Sequence, residues 1–469
     1  MSDSPAIAYA RAHRVEFLEE LKDLLRIPSV STLPGNKPDI ERAAAWVADD
    51  LTRTGMEHVE IIPTAGHPLV YADWLHAPGK ATVLVYGHYD VQPAEPIEEW
   101  HTPPFEPVVR DGNLYARGST DDKGQVVVHL KAMESLMKTA GALPVNVRVI
   151  IEGEEEVSGE GIEAFIKAHP ERLACDVVVV SDTEMFAPGL PSLTVGLRGI
   201  CYTEIEARGP ASDLHSGSYG GASPNPLFAL CEIISKLKDE DGRVLIPGFY
   251  DKVKAPTEAE LKAWASLPFD EAEYLKKEVG SQALTGEPGY SVLYRTWARP
   301  TLEVHGMPGG FTGAGAKTVI PAKASAKVSM RVVPDQDPRA IFELYRDFVL
   351  SLCPRGITLS VKLLGAGDAV VVDTGNRFVQ VAAQAMREVY GKDTVFIRTG
   401  GSIPIVAAFG KHLNAPALLM GFGLPDCAAH GPNEKFALEN FYGGIESLIH
   451  LFEKLGALPK DGKGERSQG

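Results

Sequence analysis

Four apolar runs, Thr82 to Gly87, Val145 to Ile151, Val177 to Val180 and Pro416 to Met420, restrict the fold of this chain more than any other feature. Each is of strand length and mostly apolar, the pattern of strands covered on both faces. Between them lie stretches of helical spacing, notably Lys123 to Met137 and Gly161 to His169. Two amphipathic helices, Pro5 to Leu25 and Ile40 to Thr54, precede the first run. The alternation predicts an α/β fold: a mostly parallel sheet covered by helices.

Near Arg198 the texture changes. Tyr202 to Ala207 alternates like a strand, Pro224 to Leu237 reads as a helix, Ala324 to Val333 as a strand, Pro338 to Leu352 as a helix and Ile357 to Leu364 as a strand. This order predicts a compact α+β domain inserted at 199–372, with the first domain in two parts, 1–198 and 373–469. Helices at Asn376 to Tyr390 and Glu439 to Leu455 belong to the second part. The segment from Asp239 to Gly310, rich in Gly, Pro and charged residues, has no place in the pattern. The polar tail from Pro459 to Gly469 is expected to be disordered.

A chain of 469 residues suggests about two or three domains with ample core. The balance of 46 basic and 62 acidic residues, a formal charge of -16, argues against nucleic acid and anionic membranes as partners. Five cysteines, widely spaced and without a Cys-x-x-Cys pair, fit reduced thiols. With no stretch of about 18 apolar residues and no basic-then-apolar leader, the expectation is a cytoplasmic protein.

The chemistry gathers where the apolar runs stop. The first run ends at His88 and Asp90, and residues two apart on an extended chain point to one side. Asp121 stands just before the next helix, Glu154, Glu155 and Glu156 follow the second run, Asp182 follows the third, and His430 follows the fourth after a short loop. Taken singly, each has a plainer role. His88 and Asp90 could form a hydrogen-bonded loop pair, Asp121 could cap a helix, the glutamates could be a solvated turn, Asp182 a turn residue and His430 a satisfied histidine or a general base. Taken together, they emerge at the sheet edge where α/β proteins bind ligands. Two histidines with carboxylates suit zinc or manganese, and an aspartate shared between two ions is a co-catalytic arrangement.

In order along the chain, Gly87-His88-Tyr89-Asp90-Val91-Gln92-Pro93, Arg117 to Gly124, Glu152 to Gly161, Asp213 to Gly217, Lys317 to Pro321, Gly400 to Pro404 and His430 to Lys435 match one family. The chain resembles the aminoacylase, carboxypeptidase G and carnosinase family of di-metal peptidases, and within it the carnosinase-like cytosolic dipeptidases. The resemblance implies a hydrolase that cleaves the amide bond of dipeptides or similar small substrates with a free carboxylate. It implies two divalent ions per subunit, zinc first and manganese as the alternative, in a homodimer whose inserted domain is both lid and dimerisation surface.

By the same resemblance, His88 and Asp182 would hold one ion, Glu156 and His430 the other, with Asp121 between them and Asp90 orienting His88. Glu155 would be the general base, although the register of the glutamate run leaves Glu154 and Glu155 as a competing pair. His215 would reach the partner subunit's active site and stabilise the oxyanion. Arg331 would clamp the substrate carboxylate, with a sheet-edge surface charge as its plainer role, and Thr318, Gly401 and Ser402 would contact the substrate backbone. One departure stands out: Thr399 occupies a position that is acidic in the carnosinase branch, where it meets a free amino end. Deacylation of an N-acyl amino acid is therefore the alternative reaction, and a non-catalytic binding protein the alternative class.

Overall fold

The computed structural model describes residues 4–157 and 159–459, so the expectation for the polar tail lies, Pro459 apart, outside the described residues. The chain divides into two compact units. One comprises Met1–Val195, Val372–Ile397 and Ala408–Gly469, the other Gly196–Val371 and Arg398–Ala407.

The first unit is built on a sheet whose central strands, Asn146–Glu152, Thr82–His88, Val177–Val180 and Ala417–Leu419, lie side by side in that order and run parallel. Apart from Thr82 and the start of Asn146–Glu152, where Asn146 and Arg148 are half-buried, these strands are buried almost throughout, which explains their largely apolar sequence. Antiparallel strands flank this centre: Leu69–Trp74 pairs with Asn146–Glu152 and carries Glu57–Ile62 outside it, while Thr194 pairs with Leu419 on the other side. The apolar-run pattern does not pick out these edge strands, because Glu57–Ile62 is mostly exposed and Leu69–Trp74 includes Asp73.

Helices cover the sheet. Lys123–Ala140 is buried along most of its length and packs against Leu438–Ala457. The two helices approach closely at Gly444, where a Cβ would stand 2.9 Å from Val128 Cγ1. Among the described residues, no helix is long and apolar enough to cross a membrane.

The second unit is an antiparallel sheet in the order Thr301–Gly306, Lys323–Val332, Gly199–Arg208, Thr358–Gly367. Gly199–Arg208 alternates buried and half-buried positions, as a sheet with one covered face requires. The helices Pro226–Ile234 and Pro338–Ser351 pack on it through Leu230, Ile233, Ile341 and Tyr345. The segment that sequence left unplaced supplies the edge strand Thr301–Gly306 and the helices Glu258–Ala265 and Val292–Ala298, where Trp264 and Trp297 meet edge to face.

Candidate metal centre

Parallel register sets the geometry of the first unit's sheet edge. His88 is the last residue of its strand and pairs with Glu152, while Tyr86 pairs with Val180, so the third strand stops two residues short and Asp182, two residues past it, follows at the same edge. His88, the turn after Glu152 and Asp182 therefore emerge together at the carboxyl ends of the strands. Asp121 reaches the same place from the loop before Lys123–Ala140. That loop is compact because Gly118 adopts φ 82 and because Gly124 lies where a Cβ would fall 1.8 Å from the Ser119 carbonyl oxygen. Neither Asp121 nor Asp122 caps the helix with its side chain, which removes the plainer role of Asp121.

The two oxygens of Asp121 face two different histidines. Oδ1 lies 3.1 Å from His88 Nε2, and Oδ2 lies 2.9 Å from His430 Nε2. His88, Asp121 and Asp182 offer donor atoms within 4.8 Å of one another, as do Asp121, Glu156 and His430. Glu156 Oε2 is 3.4 Å from His430 Nε2. All five ligands proposed from sequence thus meet in two groups that share Asp121.

Asp90 is fully buried beside them. Its carbonyl oxygen faces His88 Nδ1 at 3.0 Å, and its carboxylate stands 3.4 Å from the same nitrogen. The Nδ1 contact leaves Nε2 turned to Asp121, as a ligating imidazole requires. Within the glutamate run the side chains separate clearly. Glu154 accepts the backbone N–H of His67 at 2.7 Å and of Gly161 at 2.6 Å, so its carboxylate is committed to holding two loops. Glu156 lies against His430 instead, and the Glu155 carboxyl feels the charges of His88, Asp121 and Asp90.

The electrostatics follow from crowding carboxylates in a buried place. Burial raises the Glu155 carboxyl, with the Asp121 and Asp90 charges adding to it and His88 opposing. Burial and then Asp121 push Glu156 up to about 8. Asp182 is raised well above the usual range by burial and by the Asp121 charge. Burial would raise Asp121 too, but hydrogen bonds from His430 and His88 outweigh it and hold that carboxyl low. Its bond to Asp121 lifts His430 to about 9.

These residues fit divalent cations. Among the described residues no lysine or arginine is hydrogen-bonded to Asp121, Glu155, Glu156 or Asp182, and the buried Glu156 Oε1 has no hydrogen-bond partner. Carboxylates gathered so closely need positive charge to remain ionised together, and two imidazoles beside them complete a nitrogen and oxygen donor set.

The remaining site residues belong to the second unit. His215 is exposed and starts a short turn, its Nδ1 accepting the Gly217 N–H, and its strand pairs with Val319 beside Thr318, whose carbonyl accepts the Ser216 N–H. Arg331 is half-buried, and its Nη1 donates to Ser402 Oγ at 2.6 Å; Ser402 in turn donates to the Arg198 carbonyl, and Gly401 accepts the Arg198 N–H. A plain surface charge is thereby removed for Arg331. Thr399 Oγ1 accepts from the Gly401 N–H at 3.4 Å.

Two residues inside the matching stretches went without a role in the sequence reading. Gln92 donates to Glu156 Oε2 at 2.6 Å and orients that carboxylate. Glu434 is fully buried under the Asp121 loop. Their place in the stretches Gly87 to Pro93 and His430 to Lys435 is the only signal the sequence offered.

The family profile described as peptidase family M20/M25/M40 matches residues 84–454. The chain is 36% identical over 461 residues to the Cys-Gly metallodipeptidase DUG1 of Candida albicans, covering 94% of this chain and 95% of that protein. It is 31% identical to the Beta-Ala-His dipeptidase of Rattus norvegicus, covering 96% and 95%. The solved structure of the dipeptidase Dug1p from Saccharomyces cerevisiae superposes with a TM-score of 0.86 at 31% identity, over 97% of this chain and 98% of that one.

Proposed function

Because the chain belongs to peptidase family M20/M25/M40, we propose that it is a metal-dependent hydrolase of dipeptides and similar small substrates with a free carboxylate. The observation that carries this reading is Asp121, with one carboxylate oxygen turned to His88 and the other to His430. His88 and Asp182 would hold one divalent ion, Glu156 and His430 a second, and Asp121 would serve both. Zinc is the first candidate and manganese the alternative, on the nitrogen and oxygen donor set. When bound, such ions supply polarisation of the amide carbonyl and acidify the attacking water.

The chain's own groups supply the rest. Glu155, its carboxyl raised by burial, takes the proton of the attacking water and returns it to the leaving nitrogen. Asp90 keeps His88 and the Glu155 turn in place. Arg331 binds the substrate carboxylate through its forked guanidinium, with Ser402, Thr318 and Gly401 along the substrate backbone. His215, contributed by the partner of a homodimer, steadies the oxyanion, and the unit from Gly196 to Val371 acts as lid and dimerisation domain. A cytoplasmic location is supported by five cysteines that are all free.

Thr399 favours a second reading, hydrolysis of N-acyl amino acids, because a threonine offers no charge to a free ammonium group. The test of both is metal content measured alongside hydrolysis of a dipeptide panel and an N-acyl amino acid panel, before and after chelation. Turnover that survives complete metal removal would overturn the proposal. Turnover confined to N-acyl substrates would favour the second reading.

A further inference from the structure

Glu434 makes all of its side-chain hydrogen bonds to one segment, the loop that carries Asp121. Its Oε2 accepts from Arg117 Nη1 at 2.9 Å and from the Gly118 N–H at 2.8 Å, while Oε1 accepts from the N–H groups of Thr120 at 2.9 Å and Asp121 at 3.0 Å. Two donors on each oxygen saturate a carboxylate. Around it the two segments are stitched further: the Ala116 N–H donates to the Glu434 carbonyl at 3.1 Å, and Thr120 Oγ1 donates to the Lys435 carbonyl at 2.6 Å.

Glu434 also ends the loop that carries His430, and that loop needs holding. Ala428, His430 and Asn433 adopt φ values of 56, 63 and 62, the left-handed region that costs free energy for residues with a Cβ. Such a conformation persists only where surrounding contacts over-determine it. Asn433 contributes by accepting the His101 N–H and donating to the Glu99 carbonyl, both at 2.8 Å. His88 and Asp182 are held differently: they stand at the ends of sheet strands whose ladder bonds, including the Met420 N–H to the Val180 carbonyl at 2.8 Å, do not involve Glu434.

We infer that Glu434 is a positioning residue that locks Asp121 and His430 into one geometry, so that both halves of the centre depend on it through the Asp121 they share, and the Glu156 and His430 half depends on it more, through His430 as well. The inference rests on the proposed pair of ions. In Glu434→Gln, the amide nitrogen would set a donor against two of the four donors, releasing one loop from the other.

The experiment titrates zinc ion into metal-free native protein and metal-free Glu434→Gln by calorimetry, with stoichiometry checked by elemental analysis and the metal-free melting temperature recorded for both. Native protein is expected to bind two ions. In the variant both ions should bind more weakly, one by about 10- to 100-fold and the other by clearly less, with metal-free melting curves that remain cooperative. Equal weakening of both ions, or of neither, overturns the positioning role while leaving the two-ion reading intact. A native protein that binds fewer than two ions overturns both. If Glu434→Gln yields no folded protein, Arg117→Lys is titrated instead, since it keeps Glu434 and its backbone donors but alters the guanidinium contact. A loss of about tenfold on one ion is then expected, and no loss on either overturns the inference.

Discussion

The carboxylate of Asp90 accepts the backbone N–H of Glu155 at 3.2 Å, joining the strand end that carries His88 to the turn that carries the proposed base. Its second oxygen accepts the Glu156 N–H at 3.1 Å. One buried side chain therefore positions a ligand, a base and a second ligand. In Asp90→Asn one of these N–H groups would face an amide donor. We expect kcat/KM to fall about 10- to 100-fold, the usual cost of disturbing a group that orients metal ligands. Steady-state kinetics beside metal content checks this, and unchanged kinetics would contradict the role of Asp90.

Glu154 and Glu155 are neighbours with opposite commitments, which makes them a matched pair of tests. Glu155→Gln should lower kcat by about 10²- to 10⁴-fold, the span attributed to general acid and base groups, with zinc stoichiometry unchanged. Glu154→Gln should spare kcat and lower the melting temperature, because that carboxylate holds the His67 and Gly161 N–H groups. Reversed outcomes would shift the register of the base by one residue.

Removing Asp121 is expected to act on both ions at once. Asp121→Asn keeps the side-chain shape but withdraws the charge that faces His88 and His430. Elemental analysis after dialysis should find both ions depleted, whereas His430→Ala should deplete one. Retention of two tightly held ions in Asp121→Asn would show that this carboxylate is not shared.

Much of the site was legible because its side chains occupy positions that sequence marks directly. His88 and Asp182 stand just beyond apolar runs and Glu156 in the turn after a third, and a run of valines fixes where a buried strand must stop. Glu434 and Gln92 were not legible as functional residues, because their work lies in partners distant along the chain: Arg117 and Asp121 for one, Glu156 for the other. The same reason hid the edge strands. Glu57–Ile62 has no buried face to impose a pattern, and its pairing with Leu69–Trp74 appears only in the folded sheet. The segment around Trp264 and Trp297 resisted reading because its small core is made within the second unit, by aromatic contacts rather than by periodicity.

His129 yields a prediction about acid stability. It is 2% exposed in the helix Lys123–Ala140, its Nε2 lies 2.8 Å from Ser181 Oγ, and burial pushes its pKa down to about 3. In the unfolded chain the same imidazole titrates near about 6.5. Below that pH the unfolded state takes up a proton that the folded state refuses, so stability falls as pH falls, by about 1.4 kcal/mol per pH unit down to the folded pKa. At pH 5 the loss from this group alone is about 2 kcal/mol. His129→Gln keeps a donor for Ser181 and has nothing to protonate. Its stability relative to native protein should therefore rise by about 2 kcal/mol between pH 7.5 and pH 5, whatever the variant costs at neutral pH. Denaturant unfolding at the two pH values measures this difference and cancels the titration of the carboxylates common to both proteins. A relative stability that stays constant over that range would mean that His129 is protonated in the folded protein.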